Sequence, residues 1–240
     1  DVSSIQEARE ELARAGAAFD SIEQNIRDAG NQQDRFNQRI RNGATAADSL
    51  LSKLKGAAAT VGGLAAVKKI LDISDQFSNT NARLNNAMIN FDDGDSLADL
   101  EKKVMASAQR SRTSYMDAAS SIAKLGLNAR DAFGSMDEVI AFQELINKQF
   151  VIGGASVQEQ QAAMVQLTQA MASGVLRGEE LNSIFEQAPG IIQSIADYLG
   201  VSIGEIRAMA AEGQITADVV KNAMFAAADD IETKFSNMPK

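Results

Sequence analysis

Stepping from Ile5 by alternating intervals of three and four residues meets Ile5, Ala8, Leu12, Ala15, Phe19, Ile22, Ile26, Ala29, Gln33, Phe36, Ile40, Gly43, Ala47, Leu50 and Leu54. Apolar positions at this spacing form a heptad seam with two faults, Gln33 and Gly43. Glu, Arg, Asp, Gln and Asn fill the intervening positions, as a solvated coiled-coil exterior requires. The pattern predicts an extended helix rising ~1.5 Å per residue, or roughly 60 Å up to Gly43. Such a helix either folds onto its own domain or finds partner chains. We favour the second, with Ile5, Leu12, Phe19, Ile22, Ile26, Phe36 and Ile40 as the self-association seam. Alanines in that seam predict a weak isolated dimer.

The pattern changes at GAAATVGGLAAV, residues 56 to 67, which carries no charge and is flanked by Lys53, Lys55, Lys68 and Lys69. The stretch is too short to cross a bilayer, since a spanning helix needs about 20 apolar residues. Gly62 and Gly63 each weaken a helix in water by roughly 1 kcal/mol relative to Ala. We read a hinge or close-packing segment, with transient membrane contact as the lesser reading. It divides an extended helical segment, 1–66, from a globular helical domain, 67–240.

Beyond it the helices are shorter and capped. Ser135 with Glu138, Ser156 with Glu159 and Ser202 with Glu205 match the Ser-x-x-Glu capping box. Ser114 with Asp117 is a weaker match, and Thr216 is placed to cap TADVVKNAMFAAADDIETKF. Gly126, Gly134, Gly174, Gly200 and Gly213 sit where a left-handed residue would close a helix. Pro189 fits the first turn of a helix and disfavours helical geometry at Ala188, so Pro189 and Gly190 predict a sharp corner. Expected helices are a long or broken one over 2–90, then 96–111, 114–125, 135–150, 156–173, 178–187, 190–199, 202–211 and 216–235. No run alternates with period two for long enough to predict a strand. The fold class is all-α: a long coiled-coil-like segment followed by a multi-helix domain of short helices with tight turns.

Composition agrees, with 45% apolar residues, 5% aromatics and no Trp. With neither Cys nor His, thiol and imidazole nucleophile chemistry and nearly every zinc site are removed, and enzyme chemistry is disfavoured. The net charge of −9 is uneven: residues 1–110 carry 14 basic and 16 acidic side chains, residues 111–240 carry 9 and 16. Such a second half repels nucleic acid, so no direct nucleic-acid binding is expected of it. The chain starts DVSSIQEARE, with no charged leader ahead of an apolar run and no Met, and is expected to be a piece of a longer protein.

Three constellations look chemical. FDDGDS clusters Asp92, Asp93 and Asp95, but Gly94 falls where a calcium loop needs its second ligand, so we expect a turn with Asp95 or Ser96 as helix cap. Glu179 and Glu180 are adjacent, and neighbours on a helix point about 100° apart, which suits a first turn better than an acid-base pair. VIGGAS, residues 151 to 156, lacks the Lys of a phosphate loop and reads as a connector. Met164, Leu167 and Met171 share a helix face and read as core. No catalytic, metal or cofactor site is expected.

The run LRGEELNSIFEQAPGIIQSIADYLGVSIGEIRAMAAEGQITADVVKNAM, Leu176 to Met224, resembles the amino-terminal tape measure domain of long-tailed bacteriophages and prophages. The matching elements are Gly178, Glu179, Glu180, Leu181 and Asn182; Pro189 and Gly190; Leu199, Gly200, Val201 and Ser202; Gly204 and Glu205 of GEIR; and Gly213, Ile215, Thr216 and Val219 of the EGQIT and DVV elements. Upstream, KKILDISDQFSNTNARL and QRSRTSYMDAASSIAKLGLNA resemble the family's preceding helices more loosely. The resemblance implies a structural virion protein, whose signature positions are architectural. It implies an elongated helical ruler inside the growing tail tube, in host cytoplasm during assembly and in the virion tail lumen afterwards. Implied partners are tail tube and tail-tip proteins, assembly chaperones and further copies of the chain. The family's chain leaves the tube ahead of the DNA, and the membrane insertion proposed for it is at best compatible with GAAATVGGLAAV. Two other classes stand beside it: a helical adaptor or secreted prophage effector, and a muralytic enzyme, against which the lack of a convincing catalytic pair argues.

Overall fold

A computed structural model describes residues 63–91 and 94–239, with side chains from residue 75 onward. The heptad seam, from Ile5 to Ile40, lies outside the described residues. Among the described residues ten α-helices follow one another: α1 Gly63–Ile89, α2 Leu97–Arg110, α3 Tyr115–Asn128, α4 Met136–Ile152, α5 Val157–Ser173, α6 Gly178–Gln187, α7 Pro189–Leu199, α8 Ile203–Ala211, α9 Ala217–Ala226 and α10 Ala228–Ser236, with a 3-10 turn at Arg130–Ala132. Among the described residues the only extended pairing is an isolated antiparallel bridge between Val175 and Thr216. The fold is all-α.

Helix starts follow the caps. Ser96, Ser114, Ser135, Ser156, Ser202 and Thr216 each accept the N3 amide in their side-chain oxygen. Ser156–Glu159 and Ser202–Glu205 close full capping boxes. Ser135–Glu138 closes only half of one, because the Glu138 carboxylate accepts from the Gly134 amide and pairs with Lys221 at 3.3 Å instead. The Ser156 hydroxyl holds the Glu159 carboxyl below its ordinary value, and the Ser202 backbone amide, aided by its hydroxyl, does the same for Glu205.

Helix α4 occupies the centre. Every residue from Val139 through Phe150 is buried, and α2, α3, α7, α9 and α10 pack around it. Its largest enclosed side chains are Phe142, Phe150, Met136, Ile140, Leu145 and Ile146. A second hub is α7, whose Ile191, Ile192 and Ile195 are fully buried among α6, α8 and α9. Each buried isoleucine contributes about 1.5–3 kcal/mol by area, against roughly 1 kcal/mol for a cap. Packing therefore holds the short helices, and caps set where they begin.

Three expectations require correction. The helix expected over 216–235 is two helices meeting at Ala227. No breaker stands there; the turn lets Ala228, Ile231 and Phe235 bury, and Asp229 and Asp230 fall in a new first turn where the helix dipole favours carboxylates. Gly126 does not end α3 but lies within it, because α1 crosses there: a Cβ at Gly126 would stand 3.0 Å from the Ala87 Cβ. Gly134 keeps an ordinary φ in the loop before α4, whereas Gly174, Gly200 and Gly213 take φ of 82°, 68° and 72°.

Candidate functional site

The recognisable sequence elements converge on one lobe. Gly178, Glu179 and Glu180 form the first turn of α6, where the Glu180 carboxylate accepts the Arg177 amide at 3.2 Å. Leu181 is buried beneath that turn and Asn182 is exposed. Ala188 ends α6 and begins α7 in one step, with Pro189 at the first helical position. Gly200 closes α7 in a left-handed conformation, and the Val201 amide returns to the Ala196 carbonyl at 3.0 Å. Ser202 and Glu205 cap α8, on whose exposed face Gly204 lies, and Leu199 and Val201 are half-buried against the core.

The lobe closes on itself. The Leu176 amide donates to the Ile215 carbonyl at 2.7 Å, and the Ala217 amide to the Gly174 carbonyl at 2.8 Å. These bonds bring the entrance of α6 against Thr216, the cap of α9. Ile215 is fully buried in this neck and Val219, one turn into α9, is half-buried.

Gly190 explains why the corner is Pro-Gly. The Gln149 side chain of α4 lies across it, and a Cβ there would fall inside the van der Waals surface of Gln149 Oε1. Gln149 Nε2 donates to the Gly190 carbonyl at 3.4 Å and to Ser194 Oγ at 3.3 Å, while Ser194 Oγ donates to the Gly190 carbonyl at 2.9 Å. The corner is thus seated on the central helix by a buried amide. Nothing local in the sequence singles out Gln149, which lies outside the recognisable run.

A cavity of about 340 Å³ opens beside this corner. Gly190, Ala223, Ala226 and Ala227 line it with small residues, Ile152 and Tyr198 with larger ones. Its charged lining is Asp197, Asp230 and Lys234; Lys234 pairs with Asp230 at 2.7 Å, both side chains well exposed. Two further hollows, about 230 and 490 Å³, share Asp117, Ser121, Gln161 and Met164 between α3 and α5. There the Asp117 carboxylate already accepts from Ser114 Oγ at 2.6 Å and Gln161 Nε2 at 3.1 Å.

Several of the domain's cations are engaged by internal partners. Arg110 donates through Nε and Nη2 to Glu144 at 3.0 and 2.8 Å, and Lys148 pairs with Glu144 at 2.9 Å and with Glu232 of α10. Burial alone would raise the Glu144 carboxyl, but the Arg110 hydrogen bond and the Lys148 and Arg110 charges hold it below its ordinary value. Lys103 bonds Asp95 and Asp137, each at 2.7 Å, and these offset the burial that would lower it, leaving its pKa raised. Lys221 donates to the Ala132 carbonyl at 2.9 Å. Arg112, in a left-handed conformation at φ 54°, lies 4.5 Å over the Phe235 ring and donates to the Met238 and Pro239 carbonyls. Arg207 covers Phe185 at 4.4 Å. Carboxylates are left outside: Asp131, Glu159, Glu179, Glu186, Asp197 and Glu212 are all exposed.

Of the sequence constellations, Asp95 is engaged by Lys103 while Ser96 caps α2. Glu179 and Glu180 stand in a first turn. Residues of VIGGAS join α4 to α5. Met164, Leu167 and Met171 are core. Among the described residues no group of His, Cys, Asp or Glu could hold a metal ion. No helix among them is long and apolar enough to cross a membrane.

A family model described as tape measure protein matches residues 68–240. No curated protein and no solved structure matches the chain.

Proposed function

The chain belongs to the tape measure protein family, and from that premise we propose that it is part of a ruler that sets tail-tube length and fills the tube lumen until DNA is ejected. The observation that carries this reading is the family match across residues 68–240, the whole stretch of capped helices. A helical chain converts residue number into length at ~1.5 Å per residue, the arithmetic a ruler needs. In this reading residues 1–66 form an extended segment that pairs with other copies along the Ile5 to Ile40 seam, and residues 67–240 form a globular domain near one end. Tube and tail-tip proteins and assembly chaperones are its partners, first in the host cytoplasm and then in the tail. The role is architectural. Carboxylates such as Glu159, Glu180 and Glu205 accept backbone amides at helix starts, which supports a structural role for them.

The test is tail length by negative-stain electron microscopy, comparing phage carrying the intact gene with phage carrying an in-frame deletion in the parent protein outside these residues. Tails shortened in proportion to the residues removed are expected; tails of unchanged length overturn the ruler and bring forward an adaptor. For the seam, Ile26→Asp is expected to weaken self-association in sedimentation velocity. A wild-type chain that stays monomeric at high concentration removes the oligomeric part of the reading.

A further inference from the structure

We propose that the cavity beside the Pro189–Gly190 corner is a docking socket for a basic amphipathic helix of a partner protein, which inserts one bulky apolar side chain between Ile152 and Tyr198. The cavity has the anatomy of an anchor site: an apolar recess ringed by polar groups, where a single buried side chain can dominate binding. Gly190, Ala223, Ala226 and Ala227 present almost no side chain, so a partner backbone can come close and send a large group into the space of about 340 Å³. Three helices and the end of α4 contribute to the lining, which makes the recess a property of the packed fold. Gln149 closes its polar side, its amide held by the Gly190 carbonyl at 3.4 Å and Ser194 Oγ at 3.3 Å.

Charge selects the occupant. The lining holds two carboxylates, Asp197 and Asp230, against one ammonium, Lys234. Lys234 and Asp230 keep 59% and 60% of their side-chain exposure, so their pair is weak and a partner cation can take Lys234's place on Asp230. Among the described residues the Asp197 carboxylate accepts from the exposed Gln193 amide at 2.6 Å. The second half of the chain adds to this, with 16 acidic against 9 basic side chains over residues 111–240. A lysine- or arginine-bearing helix is steered toward such a face, and an acidic one is repelled.

The proposal does not depend on the ruler reading, and tail-length data leave it untouched. Its test uses the 240-residue chain and a labelled lysine-rich amphipathic helical peptide with one phenylalanine on its apolar face, followed by fluorescence anisotropy. Saturable binding is expected, weakening with salt. Replacing the peptide's phenylalanine by alanine, or filling the recess with Ala226→Leu, should weaken it by about ten-fold or more, the scale of an anchor residue. Asp197→Lys, on the exposed rim, should also weaken it and gives a second readout if Ala226→Leu lowers the melting temperature. No saturable binding overturns the proposal. Equal affinity for a glutamate-substituted peptide overturns the charge argument and the proposal with it. Phenol bound as tightly as the peptide, and displaced by neither rim nor peptide charge changes, assigns the cavity to a small ligand instead.

Discussion

Helix α4 and the lobe of α6 to α9 are stabilised in opposite ways. In α4 polar and apolar residues alike go inside: Gln143, Glu144, Asn147, Lys148 and Gln149 are buried beside Phe142, Leu145 and Phe150. That helix needs its neighbours to satisfy its charges, and some of its polar atoms, both amide atoms of Gln143 and Asn147 Nδ2, have no hydrogen-bonding partner among the described residues. Each such group costs about 1–3 kcal/mol in desolvation. The lobe instead buries mostly isoleucine, leucine and alanine, and places its polar groups at helix ends, where they satisfy the backbone. The difference teaches that a central helix can carry ionic couplings between distant elements, while a peripheral lobe is specified locally.

The comparison is broken most severely at Glu144. Glu144→Ala leaves Arg110 and Lys148 facing one another without their shared carboxylate, and a loss of about 3–5 kcal/mol is expected in urea unfolding. A loss under 1 kcal/mol would mean that water reaches the pair. Whereas the lobe's lowered carboxyl, Glu205, is an exposed helix cap, Glu144 should give α4 an acid sensitivity seated in a buried ion network. Its folded pKa lies below the ordinary 4.5, so its stabilisation is fully present above that value and is lost as pH falls through the folded one. Glu144→Gln should therefore differ most from wild type near neutral pH, with the two unfolding free energies converging in acid; a constant gap would contradict the assignment.

The contact between the two regions is the next target. Gly190→Ala pushes a methyl into the buried Gln149 amide, with an expected cost of about 1–3 kcal/mol for overpacking. In a Gln149→Ala background the added cost should largely vanish, and a double-mutant cycle reads that coupling. Additive losses would mean that the corner is held by something other than Gln149. The smallest change is at the lobe's helix ends. Ser202→Ala should cost about 1 kcal/mol, seen as a modest drop in melting temperature with the charge-dependent acid response of α4 intact.

Sequence reading followed the same division. Caps are local chemistry, so Ser156, Ser202 and Thr216 mark their helix starts three residues ahead of the amides they bind. Pro189 is similarly local, since its ring restricts its own φ and its neighbour. The break at Ala227 is not, because MFAAADD contains no stop signal and the chain turns there to bury Ile231 and Phe235. Gly126 misleads for a related reason: a glycine that looks like a helix end is used for close approach to Ala87. Glu144 and Lys148 are a visible i, i+4 pair, but that spacing ordinarily marks a solvated face, and only the arrival of Arg110 and Glu232 makes it an interior network. The neck between Gly174 and Ala217 joins residues too far apart in the chain for any pattern to pair them.

That neck decides how tension would travel. A pull applied at Gly174 on one side and at Ala217 on the other crosses directly between them through the two hydrogen bonds of the Val175–Thr216 bridge. While those bonds hold, α6, α7 and α8 form a loop closed off from that direct path. The antiparallel bridge is loaded as a zipper, one bond after the other, so it is a weak mechanical element guarding a well-packed one. Once it parts, the load passes to the packing of α6 on α5 and of α7 on α9 and α4, and the stretch from Leu176 to Ile215 lengthens the chain only as those contacts yield.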